Sequence, residues 1–191
     1  MSSETDWQAI TDPQFRKEMA EFVKQLMDDP DGFRPEAIRA RGWVACPFEI
    51  GPLIDPELAE QVCSMAGGND VLAVQVDWPQ HLPSPDLPEC YRISPVPEHL
   101  EKWSVQESWT NWLVIPGNEE LVVLCTMENY NVVAGKKRLV EYVLGQSVED
   151  AHRKFVSFAH RMASSGTELA RHEEQFLLEQ AERYVDRPSS L

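Results

Sequence analysis

The sequence has no long hydrophobic run and no motif of a known catalytic or nucleotide-binding site. No stretch approaches the ~18 apolar residues of a membrane span, and residues 1–20 lack the basic start and apolar run of a signal peptide. The nine glycines form no phosphate-binding fingerprint, and neither Gly-x-Ser-x-Gly nor His-Glu-x-x-His occurs. We therefore expect a cytoplasmic, non-enzymatic protein that uses no metal or cofactor and does not bind membranes.

Paired cysteines are also lacking. The four cysteines, Cys46, Cys63, Cys90 and Cys125, are spread along the chain without a Cys-x-x-Cys pair. A disulfide framework is typical of short secreted chains, whereas isolated cysteines in a chain of 191 residues are typical of reduced, buried thiols. The sequence therefore predicts four free thiols.

Basic residues are scarce in the first two-thirds of the chain, which has a formal net charge of −15. Residues 1–60 hold 13 acidic and 6 basic residues, and residues 61–130 hold ten acidic and two basic residues. Residues 131–191 hold nine of each, so the first 130 residues carry the whole net charge. Such a surface repels nucleic acid and favours a basic protein partner, although the acidity could serve solubility alone.

The composition predicts a folded chain. A hydrophobic fraction of 42% and six tryptophans are typical of a packed protein rather than a disordered one. We predict a single globular domain over 1–191, with a frayed start at 1–11 and a short tail at 186–191.

The densest block of strand-forming residues predicts a β-meander. Residues 109–115, 121–127 and 130–134 are rich in β-branched and aromatic residues and are separated by turn residues. A further strand is predicted at 71–78, with shorter segments at 43–50 (irregular or strand) and 90–93 (an edge strand among prolines). The predicted fold is α+β, with an antiparallel sheet of four or five strands packed against N-terminal and C-terminal helices.

Apolar residues at helical spacing and capping residues predict seven helices. Asp12-Pro13 and Asp55-Pro56 are good helix starts, Ser147 and Thr167 are N-cap candidates, and Gly145 is a helix stop. The predicted helices are 13–27, 35–41, 56–66, 98–103, 137–144, 148–162 and 167–184.

The charge and the missing motifs favour a binding protein over an enzyme. The most concrete form is an immunity or inhibitor protein that neutralises a basic partner such as a bacterial toxin, because acidic clusters facing a basic surface give fast association. The predicted contact residues are the acidic and aromatic residues of the middle of the chain: Asp77, Trp78, Asp86, Glu89, Glu98, Glu101, Trp103, Glu107, Glu119 and Glu120.

Two alternatives belong to other functional classes. A small enzyme could assemble a site from scattered residues, with Cys125, His81, His99 and His152 converging in a pocket. A structural or adaptor subunit could use the amphipathic helices, which would leave an exposed apolar stripe on 15–26 or 169–185.

Overall fold

Nine strands and seven helices form within the part of the chain that the computed structural model describes, which is residues 6–49, 54–76, 87–117, 119–162, 164 and 167–184. The strands are β1 (Trp7–Ala9), β2 (Met27–Asp29), β3 (Gly32–Phe33), β4 (Val44–Glu49), β5 (Val71–Gln75), β6 (Cys90–Ile93), β7 (Trp112–Pro116), β8 (Leu121–Cys125) and β9 (Tyr130–Gly135). The helices are α1 (Pro13–Leu26), α2 (Pro35–Ala40), α3 (Pro56–Ala66), α4 (Pro97–Gln106), α5 (Lys137–Leu144), α6 (Val148–Met162) and α7 (Glu168–Arg183).

The fold is α+β, and its main sheet is larger than predicted. Seven antiparallel strands lie in the order β1-β6-β5-β7-β8-β9-β4, and β2 and β3 form a separate hairpin. The predicted count of four or five strands is wrong because β1 and β4 are weak strands by sequence. β1 has three residues within the segment predicted to fray, and Pro47 interrupts β4. Pro47 is tolerated because β4 is an edge strand, where a missing N–H is less costly.

The central strands β7, β8 and β9 are consecutive antiparallel neighbours, as predicted, but the sheet as a whole is not a meander. Trp112 pairs with Cys125 and Val123 pairs with Val133. On one side β7 pairs with β5, and β6 then lies between β5 and β1 rather than at the predicted edge. Strands from earlier in the chain therefore flank β7, β8 and β9: β5, β6 and β1 on one side and β4 on the other.

Helices cover both faces of the sheet. Successive residues of β7 face opposite sides of the sheet, so Leu113 and Val114 belong to two different apolar cores. One core includes residues of α1, α6 and α7, and the other includes residues of α3, α4 and α5. Every residue of β7, β8 and β9 is buried, which explains why these strands do not alternate with polar residues and are apolar apart from Asn131.

Local capping signals place the helix ends correctly. The Asp12 side chain accepts a hydrogen bond from the Gln14 backbone N–H, and the Asp55 side chain accepts one from Leu58. Gly145 ends α5 with a positive φ of 60°, a conformation that glycine adopts without a Cβ penalty. The four cysteines are buried and free, which confirms the thiol prediction.

The amphipathic helices use their apolar faces within the protein itself. Val23 and Leu26 of α1 and Leu177 of α7 are buried in the core, and Phe15 and Phe22 pack against it. Leu169, at the start of α7, is an isolated exposed side chain. The described parts of the two helices therefore lack the exposed stripe that the adaptor alternative requires. Within the described ranges, none of the helices has both the length and the apolar character to cross a membrane.

Candidate functional site

One end of the sheet presents two large apolar side chains to solvent. Trp109, three residues before β7, is 57% exposed, and Met127, two residues after β8, is 50% exposed. Because Trp112 pairs with Cys125, both residues lie at the same end of the sheet. We call this region, defined by Glu89, Glu107, Trp109, Met127 and Glu128, the tryptophan end.

A buried carboxylate holds the exposed indole. Glu107 is 7% exposed, and its Oε2 atom accepts a hydrogen bond from Trp109 Nε1 at 3.2 Å. The backbone oxygen of Glu107 also accepts a hydrogen bond from Trp112 Nε1 at 2.8 Å. Glu107 therefore fixes one tryptophan at the surface and one in the core, and it is a positioning residue rather than the predicted partner contact.

Three packed aromatic rings support the tryptophan end from below. The ring centroids of Trp103 and Trp112 are 5.1 Å apart, and Tyr91 lies 5.6 Å from Trp112 and 6.1 Å from Trp103. Such tilted and edge-to-face pairs are favourable beyond the area they bury. Trp103 is 1% exposed, so it contributes to this support and does not reach the surface as predicted.

A network of buried polar side chains fixes the turn that carries Met127. Asn111, which is 4% exposed, accepts a hydrogen bond from the Met127 backbone N–H at 2.6 Å. Asn131 accepts one from the Thr126 backbone N–H at 3.0 Å, and the Thr126 hydroxyl donates to the Tyr130 backbone oxygen. These hydrogen bonds hold the turn to Asn111 and Asn131 and so restrain its backbone, although Asn131 Nδ2 has no hydrogen-bond partner among the described residues.

The same network attaches the β2–β3 hairpin to this end of the sheet. Asn111 Nδ2 donates to the Pro30 backbone oxygen at 3.1 Å, and the Tyr130 hydroxyl donates to the Asp31 backbone oxygen at 2.8 Å. Burial and the nearby Asp31 carboxylate raise the pKa of Tyr130 above its ordinary value, so the phenol stays a donor. A second segment of the chain is therefore held rigidly beside Trp109 and Met127.

Carboxylates surround the exposed apolar side chains. Glu128 follows Met127 and is exposed, and Glu89 is exposed two strands away from β7, about 10 Å across the sheet. Burial, then the carboxylates of Glu107 and Glu89, raise the pKa of Tyr91 to about 12, so both acids act on one phenol. The nearby cation Arg16 donates to the backbone oxygen of Pro88 at 2.8 Å, just before Glu89.

The other predicted contact residues do not all converge on this end. Asp77, Trp78 and Asp86 lie outside the described residues, although Val76, which precedes them, donates its N–H to the Asn111 backbone oxygen at the tryptophan end. Glu119 and Glu120 lie at the opposite end of β7 and β8, about 14 Å away along the strands.

Three of the predicted acidic contacts, Glu98, Glu101 and Glu120, have neighbours away from the tryptophan end. Glu120 forms an ion pair with Lys136, whose hydrogen bond lowers the pKa of the Glu120 carboxyl. Glu98 and Glu101 lie on α4, where Glu98 is exposed and Glu101 is half-buried. The structure therefore brings Glu89 and Glu107 together and leaves Glu98, Glu101, Glu119 and Glu120 apart from them.

The residues of the enzyme alternative lie far apart. His99 on α4 contacts Ser94 and Asp6 beside β6, whereas His152 on α6 lies beside β4. Five inter-strand steps separate β6 from β4, which is about 24 Å. Cys125 lies in the α3–α4 core, and His81 is outside the described residues.

The thiols are also unsuited to nucleophilic catalysis. Burial, and then the Glu149 carboxylate, raises the pKa of Cys46 to about 12, and burial raises that of Cys125 to about 12. Reactive cysteines instead have lowered pKa values, because the thiolate is the nucleophile. Cys46 and His152 both line one cavity, but a thiol in this environment stays protonated.

Glu89 and Glu107 were among the predicted contact residues, but the polar residues that fix the tryptophan end were not identified from the sequence. Polar residues in a strand-forming stretch, Thr110-Asn111 before β7 and Thr126 after β8, were the available signal. Across the described ranges, no group of three or more His, Cys, Asp or Glu side chains could hold a metal ion. Comparisons with protein-family models, curated proteins and solved structures found no match for this chain. Geometry and charge therefore carry the functional argument.

Proposed function

We propose that the protein is an acidic binding protein that docks a basic protein partner on the tryptophan end. Its most concrete form is an immunity or inhibitor protein that neutralises a basic toxin. The observation that supports this proposal is the indole of Trp109, which is 57% exposed yet held by the buried carboxylate of Glu107. A large aromatic side chain that is both exposed and fixed is the usual anchor of a protein interface.

Pre-organisation makes Trp109 suited to that role. Immobilising a side chain on binding costs free energy, and a side chain that is already fixed loses less freedom. Asn111 holds the neighbouring Met127 backbone, and the buried rings of Trp103 and Trp112 support the region from below. An apolar anchor pair on a rigid support can therefore bind with little rearrangement.

The surrounding carboxylates favour a basic partner. Glu89 and Glu128 are exposed at this end, and in the sequence Asp77 and Asp86 lie within the segment that joins Val76 to Leu87. We include Asp77, Trp78 and Asp86 in the proposed interface on that basis. Complementary charge at the edge of an interface raises the association rate and makes it depend on salt.

Site-specific photo-crosslinking tests the proposal. Trp109 is replaced by p-benzoylphenylalanine, and the variant is irradiated in cells of the source organism. As a matched control, the same substitution is made at Leu169, which is 78% exposed at the start of α7. We expect a discrete adduct from position 109 and none from position 169, with a partner of pI above about 9 as identified by mass spectrometry.

The captured protein must then bind the purified chain in a salt-dependent manner. Adducts that are the same at both positions, or an acidic partner at position 109, would contradict the proposal. The absence of any adduct at position 109 would contradict it as well, because the anchor would then contact nothing in the cell.

A further inference from the structure

A cavity of about 450 Å³ lies at the opposite flank of the sheet, where β4, α2, the starts of α5 and α6 and the end of α7 meet. Its volume is within the range of sites that bind small molecules. β4 is an edge strand, so the cavity is bounded on one side by the sheet and on the others by helices. It shares no lining residue with the tryptophan end.

The floor of the cavity is apolar. It is formed by Ile38, Trp43, Ala45, Cys46 and Val148. Trp43 is 9% exposed, and the guanidinium of Arg41 lies 5.6 Å from the centre of its ring. A floor of aliphatic and aromatic side chains favours the apolar part of a ligand, because burying that part removes it from water.

The charged lining of the cavity is mostly cationic, in contrast to the chain as a whole. Arg39, Lys137, Arg153 and Arg183 line it, against the single carboxylate of Glu149. The chain has a net charge of −15, so an excess of positive side chains in one cavity departs from the composition. Asp150 pairs with Arg153, and Glu141 lies 3.7 Å from Lys137, so part of this positive charge is offset, and the remainder favours an anion.

These cations differ in how firmly they are held. Arg183 is 18% exposed and is fixed by Asp29 at 2.7 Å and by the Phe33 backbone oxygen at 3.0 Å. Lys137 pairs with Glu149 at 2.9 Å on the surface, where such pairs are weak and exchange readily. The Arg39 side chain is exposed and makes no ion pair or hydrogen bond with a described residue, so its charge is available to a ligand.

A histidine adds one oriented polar group. The Nε2 atom of His152 lies 3.2 Å from the Ala181 backbone oxygen, which can only accept a hydrogen bond. Nε2 therefore carries the proton, and Nδ1 remains able to accept a hydrogen bond when the ring is neutral. The cavity thus combines an apolar floor, a cationic lining and a fixed polar side chain, as small-molecule sites do.

We propose that this cavity binds a soluble organic anion with an apolar body, such as an aromatic or alkyl carboxylate or sulfonate. The apolar body lies on Trp43 and Ala45, and the anionic group faces Arg39 and Lys137. Glu149 opposes binding through its own charge and through its pair with Lys137.

Two dyes with the same aromatic rings test the proposal. 8-Anilinonaphthalene-1-sulfonate carries a sulfonate, and N-phenyl-1-naphthylamine lacks it. Titration calorimetry with the native protein should show one site for the sulfonate dye. The neutral dye should bind at least about fivefold more weakly, because it loses the interaction with the cations. Equal affinities, or no saturable binding of the sulfonate dye, would overturn the proposal.

Three exposed variants locate the binding site. Arg39→Glu should weaken binding of the sulfonate dye by about fivefold and leave the neutral dye unchanged. Glu149→Gln should strengthen binding of the sulfonate dye, a direction that damage to the fold would not produce. Arg92→Glu on β6, at the other flank of the sheet, changes the net charge equally and should have no effect.

Circular dichroism confirms that each variant is folded before titration. Equal weakening by Arg39→Glu and Arg92→Glu would show that net charge alone matters and would overturn the proposed site. Weaker binding in Glu149→Gln would overturn it as well.

Discussion

The tryptophan end and the cavity at β4 are opposites in shape and charge. The tryptophan end presents Trp109 and Met127 outward among carboxylates, whereas the cavity encloses an apolar floor among arginine and lysine side chains. Hydrogen bonds that the Glu107 and Asn111 side chains accept fix the first region. The second is formed where an edge strand meets four helices.

This difference is the reason that we propose two separate binding chemistries for a chain with one large net charge. The net charge of −15 predicts a basic partner for the whole surface, yet four cationic side chains and one carboxylate line the cavity at β4. The first region fits a macromolecular partner, because its apolar side chains project outward. The second fits a small molecule, because its apolar side chains are enclosed. The following predictions test whether the two regions are as distinct as their geometry indicates.

The slowing of thiol alkylation should be the largest effect, and it should be the same for Cys46 and Cys125. Cys46 lies under the cavity and Cys125 lies in β8 near the tryptophan end, and burial raises the pKa of each to about 12. At pH 8 the thiolate fraction of each should be about a thousandfold lower than in the unfolded chain, so both should react at least that much more slowly. Mass spectrometry after timed alkylation measures the two rates. Rapid labelling of Cys46 alone would contradict the closed apolar floor of the cavity.

The same raised pKa values predict a loss of stability in alkaline solution. Folding holds these thiols protonated, while the unfolded thiols ionise near their ordinary pKa of 9.0. The stabilisation is therefore fully present below pH 9.0 and decreases as pH rises towards about 12. Urea denaturation between pH 7 and pH 11 should show a falling free energy of unfolding, and Cys46→Ala should reduce the slope.

Asn111→Ala should be the most destabilising polar substitution at the tryptophan end. It removes the partner of the Met127 N–H and of the Pro30 oxygen, both of which make part-buried hydrogen bonds to the buried Asn111 side chain. We expect the free energy of unfolding to fall by about 3 kcal/mol. Asn69→Ala is the matched control, because Asn69 is exposed and donates only to the Ala66 oxygen. Equal losses from the two variants, measured by urea denaturation, would show that the network does not hold this end rigid.

Trp109→Ala should weaken binding of the partner without affecting binding of the dye in the cavity. A central aromatic anchor contributes about 2 kcal/mol to binding, which corresponds to about a thirtyfold higher dissociation constant. Binding of the sulfonate dye should be unchanged, because Trp109 does not line the cavity. Leu169→Ala removes another exposed apolar side chain and should change neither affinity. Calorimetry with the partner captured by crosslinking measures the first effect, and a loss of dye binding in Trp109→Ala would contradict the separation of the two regions.

Local signals in the sequence were sufficient to predict the helices, but they were not sufficient to predict the arrangement of the outer strands of the sheet. Asp12, Asp55 and Gly145 act on residues within one turn, so their effect is visible in the sequence. β1 becomes a strand because it pairs with β6 across more than 80 residues of chain, and this pairing overrides the weak propensity of a three-residue segment. β6 was predicted to be a strand, but its position between β5 and β1 depends on the same long-range pairing.

The tryptophan end could be predicted only in part for a similar reason. The sequence shows that Trp109 and Trp112 are close together on a strand-forming stretch, but β7 begins at Trp112, so only the latter enters the core. Glu107 was predicted to be a contact because acidic side chains are usually exposed. Its burial depends on α4 leading into the sheet at this point, which no local pattern encodes.

The association rate of the captured basic partner tests the proposed function most directly. Stopped-flow measurements at low salt would compare the double variant Glu89→Lys and Glu128→Lys with the double variant Glu168→Lys and Glu179→Lys on α7, where all four side chains are exposed. We expect the first pair to slow association by about fivefold, an effect that disappears as salt rises, and the second pair to have little effect. Equal slowing by both pairs would show that the acidity acts only through net charge, and would contradict docking at the tryptophan end.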